Sequence, residues 1–240
     1  MFLKGIDFIK KLITEEPQDG AGSIAVTDPT VLKKIIDDPA FPFLVSFPRT
    51  GSHWLRMIIE LYFERPLLTR TFLFPEKKNY LLLHTHDMEL NVMRENVIYL
   101  YRDPVDTVFS QLMYYREDIS GRERIVHWAD LYGSHLDKWL HENDFTKKLT
   151  VVKYERLKDD PSSEFKKITD HFGVTFSGEK LKAALESSTK ERLKDKTAHD
   201  PQVVNLKEDY AEQRRRFRAE SEGLVWEALL SGREYLKGEF

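Results

Sequence analysis

The stretch FLVSFPRTGSHWLRMIIELYF, Phe43 to Phe63, decides the fold. Phe43, Leu44, Val45 and Phe47 form a short apolar run of the kind found in a buried strand. Pro48-Arg49-Thr50-Gly51-Ser52-His53 interrupts it. Apolar residues then return at helical spacing: Leu55, Ile58, Ile59 and Tyr62 lie at i, i+3, i+4 and i+7. A strand, a short Gly/Ser/Thr loop and a helix N-terminus are the parts of a phosphate cradle. The first amides of a helix lack intrahelical acceptors, and the helix dipole is positive at that end.

Working outward, the chain has 240 residues, enough for one α/β domain or two small ones. A hydrophobic content of 41% and an aromatic content of 12% support a sizeable core, and the net charge of −3 gives no global field for nucleic acid. No cysteine is present, which excludes disulfides, thiol nucleophiles and Cys-ligated metals and fits a cytoplasmic location. The N-terminal MFLKGIDFIKKLITEE has neither the apolar core nor the cleavage site of a signal peptide, and no segment has the ~20 apolar residues of a membrane span. It is expected to be an amphipathic helix, part of a helical extension over residues 1–40 of a single domain spanning 1–240.

Further along, Val31–Asp37 predicts a short helix, and Tyr80–His84 and Val97–Tyr101 predict strands. Asp103-Pro104 supplies a helix N-cap and a favoured first residue, followed by Val105, Val108, Phe109 and Leu112 on one face. Arg124–Glu142 predicts a long helix, Leu149–Tyr154 a strand, and Pro161–Gly173 and Gly178–Lys194 two more helices. Asp195–Asn205 reads as a polar loop. Strands alternating with helices predict an α/β three-layer sandwich with a central parallel sheet and a P-loop-like phosphate site. Its ligand crevice is expected at the carboxyl ends of the strands.

The opening loop is not an ATP-type loop of the form G-x-x-x-x-G-K-[ST]. It has one glycine, and no lysine precedes the hydroxyl residue. On its own it leaves a single-phosphate cradle and an ordinary strand-to-helix turn equally open. Arg102, at the end of the third predicted strand, offers a second anion site through charge-assisted hydrogen bonds. Two such sites on neighbouring strand ends suggest a ligand with two separated phosphates.

These residues bear a resemblance to a known family. PRTGSHW resembles the 5′-phosphosulfate loop of sulfotransferases that use 3′-phosphoadenosine-5′-phosphosulfate (PAPS), written P-[KR]-[ST]-G-[ST]-[ST]-W. YRDPVDTVFS resembles their 3′-phosphate motif, R-[ND]-P-x-D-x-x-x-S. The resemblance implies that Arg49 contacts the 5′-phosphate and the bridging oxygen, and that Thr50, Gly51, Ser52 and His53 supply loop donors. It implies further that Trp54 packs on adenine and that Arg102 and Ser110 hold the 3′-phosphate. His53 departs from the family's hydroxyl residue.

Leu83-His84-Thr85-His86 resembles the family's K-T-H tripeptide, which makes His86 the general base and puts His84 in place of the lysine. A hydroxyl acceptor is a poor nucleophile until a base takes its proton, and a histidine of ordinary pKa near ~6.5 can do so. At i and i+2 on a strand the two imidazoles share a side, with His84 expected to position the leaving group or the acceptor. No third ligand stands at a spacing that suggests a metal site. Val151–Glu155 resembles a family strand ending in Tyr-Glu, which puts Tyr154 near the adenine. Tyr114 is a candidate for acceptor binding. The family's C-terminal Arg-Lys-Gly loop has no clear copy. Arg214, Arg215, Arg216 and Arg218 stand nearest, with nothing in the sequence to choose among them.

The resemblance thus implies sulfuryl transfer from PAPS to a hydroxyl, with an amine as the second choice, on a small-molecule, glycan or lipid acceptor. PAP is released and no metal is needed. The rival readings are a P-loop-like small-molecule kinase and a non-catalytic nucleotide-binding module.

Overall fold

The computed structural model describes residues 29–68, 79–189 and 209–240. The expected N-terminal helix, the end of the helix expected over Gly178–Lys194 and the loop Asp195–Asn205 lie outside those residues. A helix α1 (Pro29–Asp37) leads into strand β1 (Phe43–Ser46) and helix α2 (Ser52–Phe63). Strands β2 (Leu83–Thr85) and β3 (Asn96–Tyr101) follow, then helices α3 (Pro104–Tyr115) and α4 (Arg122–Leu140). Strand β4 (Lys148–Lys153) runs directly into α5 (Tyr154–Asp159), so Tyr154, expected in the strand, opens a short helix instead. Helices α6 (Pro161–His171), α7 (Gly178–Ser187) and α8 (Tyr210–Leu230) and a terminal 3₁₀ turn (Glu234–Glu239) complete the fold.

The four strands form one parallel sheet in the order β2-β1-β3-β4. Successive residues of the central strands are buried on alternate faces of the sheet. Phe43, Val45, Val97, Tyr99 and Tyr101 face one core with residues of α3, α4 and α8. Leu44, Ile98, Leu100 and Val152 face the other with residues of α2, α6 and α7. With both faces covered, the central strands are apolar along most of their length, Phe43–Val45 in β1 and Val97–Tyr101 in β3. All four residues of the helical stripe Leu55, Ile58, Ile59 and Tyr62 are buried, as are Val105, Val108, Phe109 and Leu112. Burying side chains of that size contributes about 1.5–3 kcal/mol each. Gly133 lets α4 and α8 approach, since a Cβ there would lie 2.6 Å from the Leu229 carbonyl oxygen.

This topology positions the site. β1 and β3 are neighbours, yet the chain leaves β1 into α2 on one face and leaves β3 into α3 on the other. Connections diverging from adjacent parallel strands open a crevice at their carboxyl ends. Register brings three motifs there: Val45 pairs with Thr85, so Ser46 stands level with His86, and Ser46 pairs with Leu100, two residues before Arg102. No described helix is long and apolar enough to cross a membrane.

Candidate active site

Between β1 and α2 the backbone bends through two left-handed residues, Arg49 at φ 67° and Gly51 at φ 94°. Thr50 closes the bend by donating its hydroxyl to the Phe47 carbonyl at 2.7 Å. Gly51, as N-cap, brings no capping side chain to the α2 amides, and so preserves the anion-binding character of a helix N-terminus. The glycine is required for a second reason: a Cβ at position 51 would fall 2.4 Å from Cε2 and 2.5 Å from Cδ2 of Tyr154. Gly51→Ala is therefore expected to cost about 1–3 kcal/mol through strain and overpacking, read as a lowered Tm. A Tm unchanged from wild type would show that the ring and loop separate without cost.

The loop is tied to the end of β3. Arg102 donates from Nη1 to the Arg49 carbonyl at 3.2 Å and from Nη2 to Asp106 at 3.3 Å, and its guanidinium lies 4.9 Å from the centre of the Tyr154 ring. Its Nε is buried with no hydrogen-bond partner among the described residues. Arg49 donates from Nε to the Ser110 hydroxyl at 3.3 Å, which joins the two predicted phosphate motifs. Asp103 caps α3 by accepting from the Asp106 amide at 2.9 Å.

Asp106 gathers further cations. Arg214 bonds both of its carboxylate oxygens, and Arg218 reaches Asp106 at 3.2 Å and Asp103 at 2.6 Å. Burial pushes the Asp106 carboxyl up, but the Arg214 hydrogen bonds and the Arg102 charge outweigh it and hold the group below the usual carboxylate range. Of the four arginines in the α8 cluster, Arg214 and Arg218 therefore face the crevice, whereas Arg216 pairs with Glu220 along the exposed side of α8.

At the end of β2, His84 and His86 do share a side, with ring centroids 4.7 Å apart. His86 Nδ1 lies 2.9 Å from the Ser46 carbonyl oxygen. A carbonyl can only accept, so Nδ1 carries the proton and Nε2 keeps its lone pair. His84 is buried and its Nε2 lies 3.1 Å from the Ser46 hydroxyl. Burial lowers the His86 pKa to about 4, the Ser46 bond opposes that, and the Arg56 and Arg49 charges add to the fall. His84 is held well below the ordinary histidine range by burial and Arg56.

Trp54 and Tyr154 meet edge to face at 5.9 Å between centroids beside the loop, and Ser52 is buried at the start of α2. His53, half-buried, is close enough for its charge to lower the pKa of His84. Tyr114 is 42% exposed with its ring 5.1 Å from the Arg49 guanidinium, which puts an accessible aromatic surface next to the loop. Tyr132 and Trp139 are core residues.

Ser46 and His135 also converge here and were not singled out from sequence, whereas Asp106 stood in the sequence as a possible ion-pair partner of Arg102, four residues after it. His135 had a signal as a histidine within the apolar stripe Tyr132, Leu136 and Trp139 of α4.

The family model described as Sulfotransferase domain matches residues 76–231, more than half of the chain. The Phe43–Phe63 stretch precedes the matched residues, so its role rests on the loop geometry above. No curated protein sequence matches. Among solved structures, mouse sulfotransferase SULT7A1 complexed with PAP is 18% identical with a TM-score of 0.54, covering 85% of this chain and 90% of that one. Retinol dehydratase in complex with androsterone and the inactive cofactor PAP is 14% identical with a TM-score of 0.51, covering 92% and 94%. At these identities the likeness shows the fold.

Proposed function

The chain belongs to the sulfotransferase family, and on that premise we propose that it moves a sulfuryl group from PAPS to a hydroxyl of a small-molecule acceptor, as a single domain in the cytoplasm. The observation that carries this reading is the join between Arg49 and Arg102. Two cationic groups from separate strand ends share one crevice, with a buried guanidinium N–H unpartnered among the described residues and a neutral imidazole one strand away.

The residues fit the donor. Arg102 and Ser110 hold the 3′-phosphate, and Arg214 or Arg218 from α8 takes the place of the family's Arg-Lys-Gly loop. Trp54 and Tyr154, packed edge to face beside the loop, would offer aromatic surface to the adenine. Thr50, Gly51, Ser52 and His53 present the loop and the α2 N-terminus to the 5′ end. When bound, PAPS supplies an activated sulfuryl group whose acceptor keeps it as PAP departs.

The chain's own part in the chemistry is positioning, charge stabilisation and proton transfer. His86 Nε2 takes the acceptor's hydroxyl proton as the new oxygen–sulfur bond forms. The Arg49 guanidinium stabilises the negative charge that grows on the departing side. Negative charge from the donor favours the imidazolium, which makes His86 a better base in the complex than in the free protein. His84 buttresses this arrangement through Ser46, and Tyr114 lines the acceptor side. The androsterone in the retinol dehydratase structure supports a small-molecule acceptor.

The test is transfer from labelled PAPS to a panel of phenols, steroid alcohols, sugars and amines, followed by mass spectrometry. Sulfated product and PAP in equal amounts are expected. MgATP turnover without PAP binding would overturn the reading in favour of a kinase. PAP binding with no product from any acceptor would favour a non-catalytic module.

A further inference from the structure

Resting on the reading of His86 as the base, we propose that His135 is a positioning residue, which fixes the backbone of His86 from the far side of the sheet through an ordered chain of hydrogen bonds. His135 Nε2 lies 2.8 Å from the His86 carbonyl oxygen, and Nδ1 lies 2.9 Å from the Tyr99 hydroxyl. A carbonyl accepts only, so Nε2 carries the proton. Nδ1 of the neutral ring must then accept, so the Tyr99 hydroxyl donates. The order is Tyr99 O–H to His135 Nδ1, His135 Nε2–H to His86 C=O, and His86 Nδ1–H to Ser46 C=O.

Each link has one possible direction, and Tyr99 and His135 are enclosed. Tyr99 is fully buried and His135 is 1% exposed. The His135 ring is gripped between Tyr99 and Phe47, with both centroid distances 5.5 Å. Burial, with the neighbouring Lys138 charge adding, keeps the ring neutral by lowering its pKa to about 3.

The same face of α4 secures the next residue. Asp87 sits in a left-handed conformation at φ 45° and is buried. One of its carboxylate oxygens accepts from Lys138 Nζ at 2.6 Å and Trp139 Nε1 at 3.0 Å. The other accepts from the Asn91 and Val92 amides at 3.0 and 2.9 Å. His135, Lys138 and Trp139 stand at i, i+3 and i+4, so one helix face holds both His86 and Asp87. β2 is only three residues long, and its pairing with β1 ends at Thr85, one residue before His86. His86 is thereby held at its imidazole from β1 and at its carbonyl from α4. A displacement of about 1 Å at a reacting group costs on the order of a hundredfold in rate, which gives this second anchor its catalytic consequence.

The experiment uses the full chain labelled with ¹⁵N-histidine and saturated with PAP, together with turnover of the fastest acceptor from the panel. Long-range ¹H–¹⁵N spectra are expected to show His135 protonated at Nε2 and His86 at Nδ1. In His135→Leu, kcat is expected to fall about tenfold or more with KM for PAPS within about twofold, and the single His86 tautomer signal is expected to broaden or split. His135→Gln keeps an N–H donor near the same place and is expected to recover most of the loss. Tyr99→Phe, which keeps the shape of the core, is expected to show a second His135 tautomer and a smaller fall in kcat. It serves where His135→Leu does not fold. Full kcat in His135→Leu or in Tyr99→Phe, a change confined to KM, or a wild-type His135 protonated at Nδ1 would overturn the proposal while leaving sulfuryl transfer intact. A wild-type protein that neither binds PAP nor transfers sulfate overturns the enzymatic reading, and this proposal with it.

Discussion

Replacing His86 with alanine is expected to lower kcat by about 10²–10⁴-fold, the usual contribution of a positioned general base, while PAP affinity stays within about twofold. The separation of the two effects follows from the geometry. The imidazole is held by Ser46 at the end of β1 and points its chemistry through Nε2, whereas the cationic groups proposed for the donor, Arg49 and Arg102 among them, lie on other elements. Stopped turnover with intact PAP binding is therefore the signature of a lost proton acceptor. The pH dependence gives a second, independent check. Burial holds His86 neutral down to about 4 in the free protein, opposed by the Ser46 bond and reinforced by Arg56 and Arg49. Only the neutral ring has a lone pair, so kcat/KM is expected to hold through neutral pH and fall as the pH drops through about 4. An exposed histidine would begin that fall near ~6.5. Full turnover in His86→Ala with a true acceptor removes His86 from the mechanism.

Arg102→Ala is expected to weaken PAP binding by about a hundredfold, in line with the loss of a buried charge-assisted contact worth roughly 1.5–3 kcal/mol. The strand end should survive the change. Tyr132 holds position 102 through the backbone, accepting from its amide at 3.0 Å and donating to its carbonyl at 2.8 Å. Asp106 keeps Arg214 and Arg218 as partners, so no buried carboxylate is left without a counter-charge. The substitution removes the fork that bonds the Arg49 carbonyl and, with it, the buried Nε available to a phosphate. Arg102→Lys should fall between the two, since an ammonium keeps the charge and loses the planar fork. Titration of PAP by calorimetry measures both. A PAP affinity equal to wild type in Arg102→Ala would refute the 3′-phosphate role.

The helical stripes were legible because amphipathic helices write a 3.6-residue period into contiguous sequence. Strand β1 was legible because a strand covered on both faces must be apolar throughout. Its neighbour β2 was less so: Tyr80–His84 was expected, but only Leu83–Thr85 pairs with β1. Tyr80, Leu81 and Leu82 are buried outside that ladder, and Leu81 and Leu82 instead exchange backbone hydrogen bonds with Pro66 and Leu68. Tyr154 likewise looked like the end of β4, yet it starts α5 and turns its ring onto Gly51.

By itself the sequence determined the strand–loop–helix at Phe43–Phe63, the cationic end of β3, and the presence of His84 and His86 on one side of a strand. Each depends on residues within a few positions of one another, and local periodicity carries that information. Only the tertiary structure decided which of four arginines on α8 turn toward Asp106, which nitrogen of His86 keeps its lone pair, and that His135 reaches its carbonyl from α4. Those are hydrogen bonds between elements distant in the chain. A hydrogen bond is set by direction and by separations of about 3 Å, quantities that exist only once the sheet register has brought its partners together.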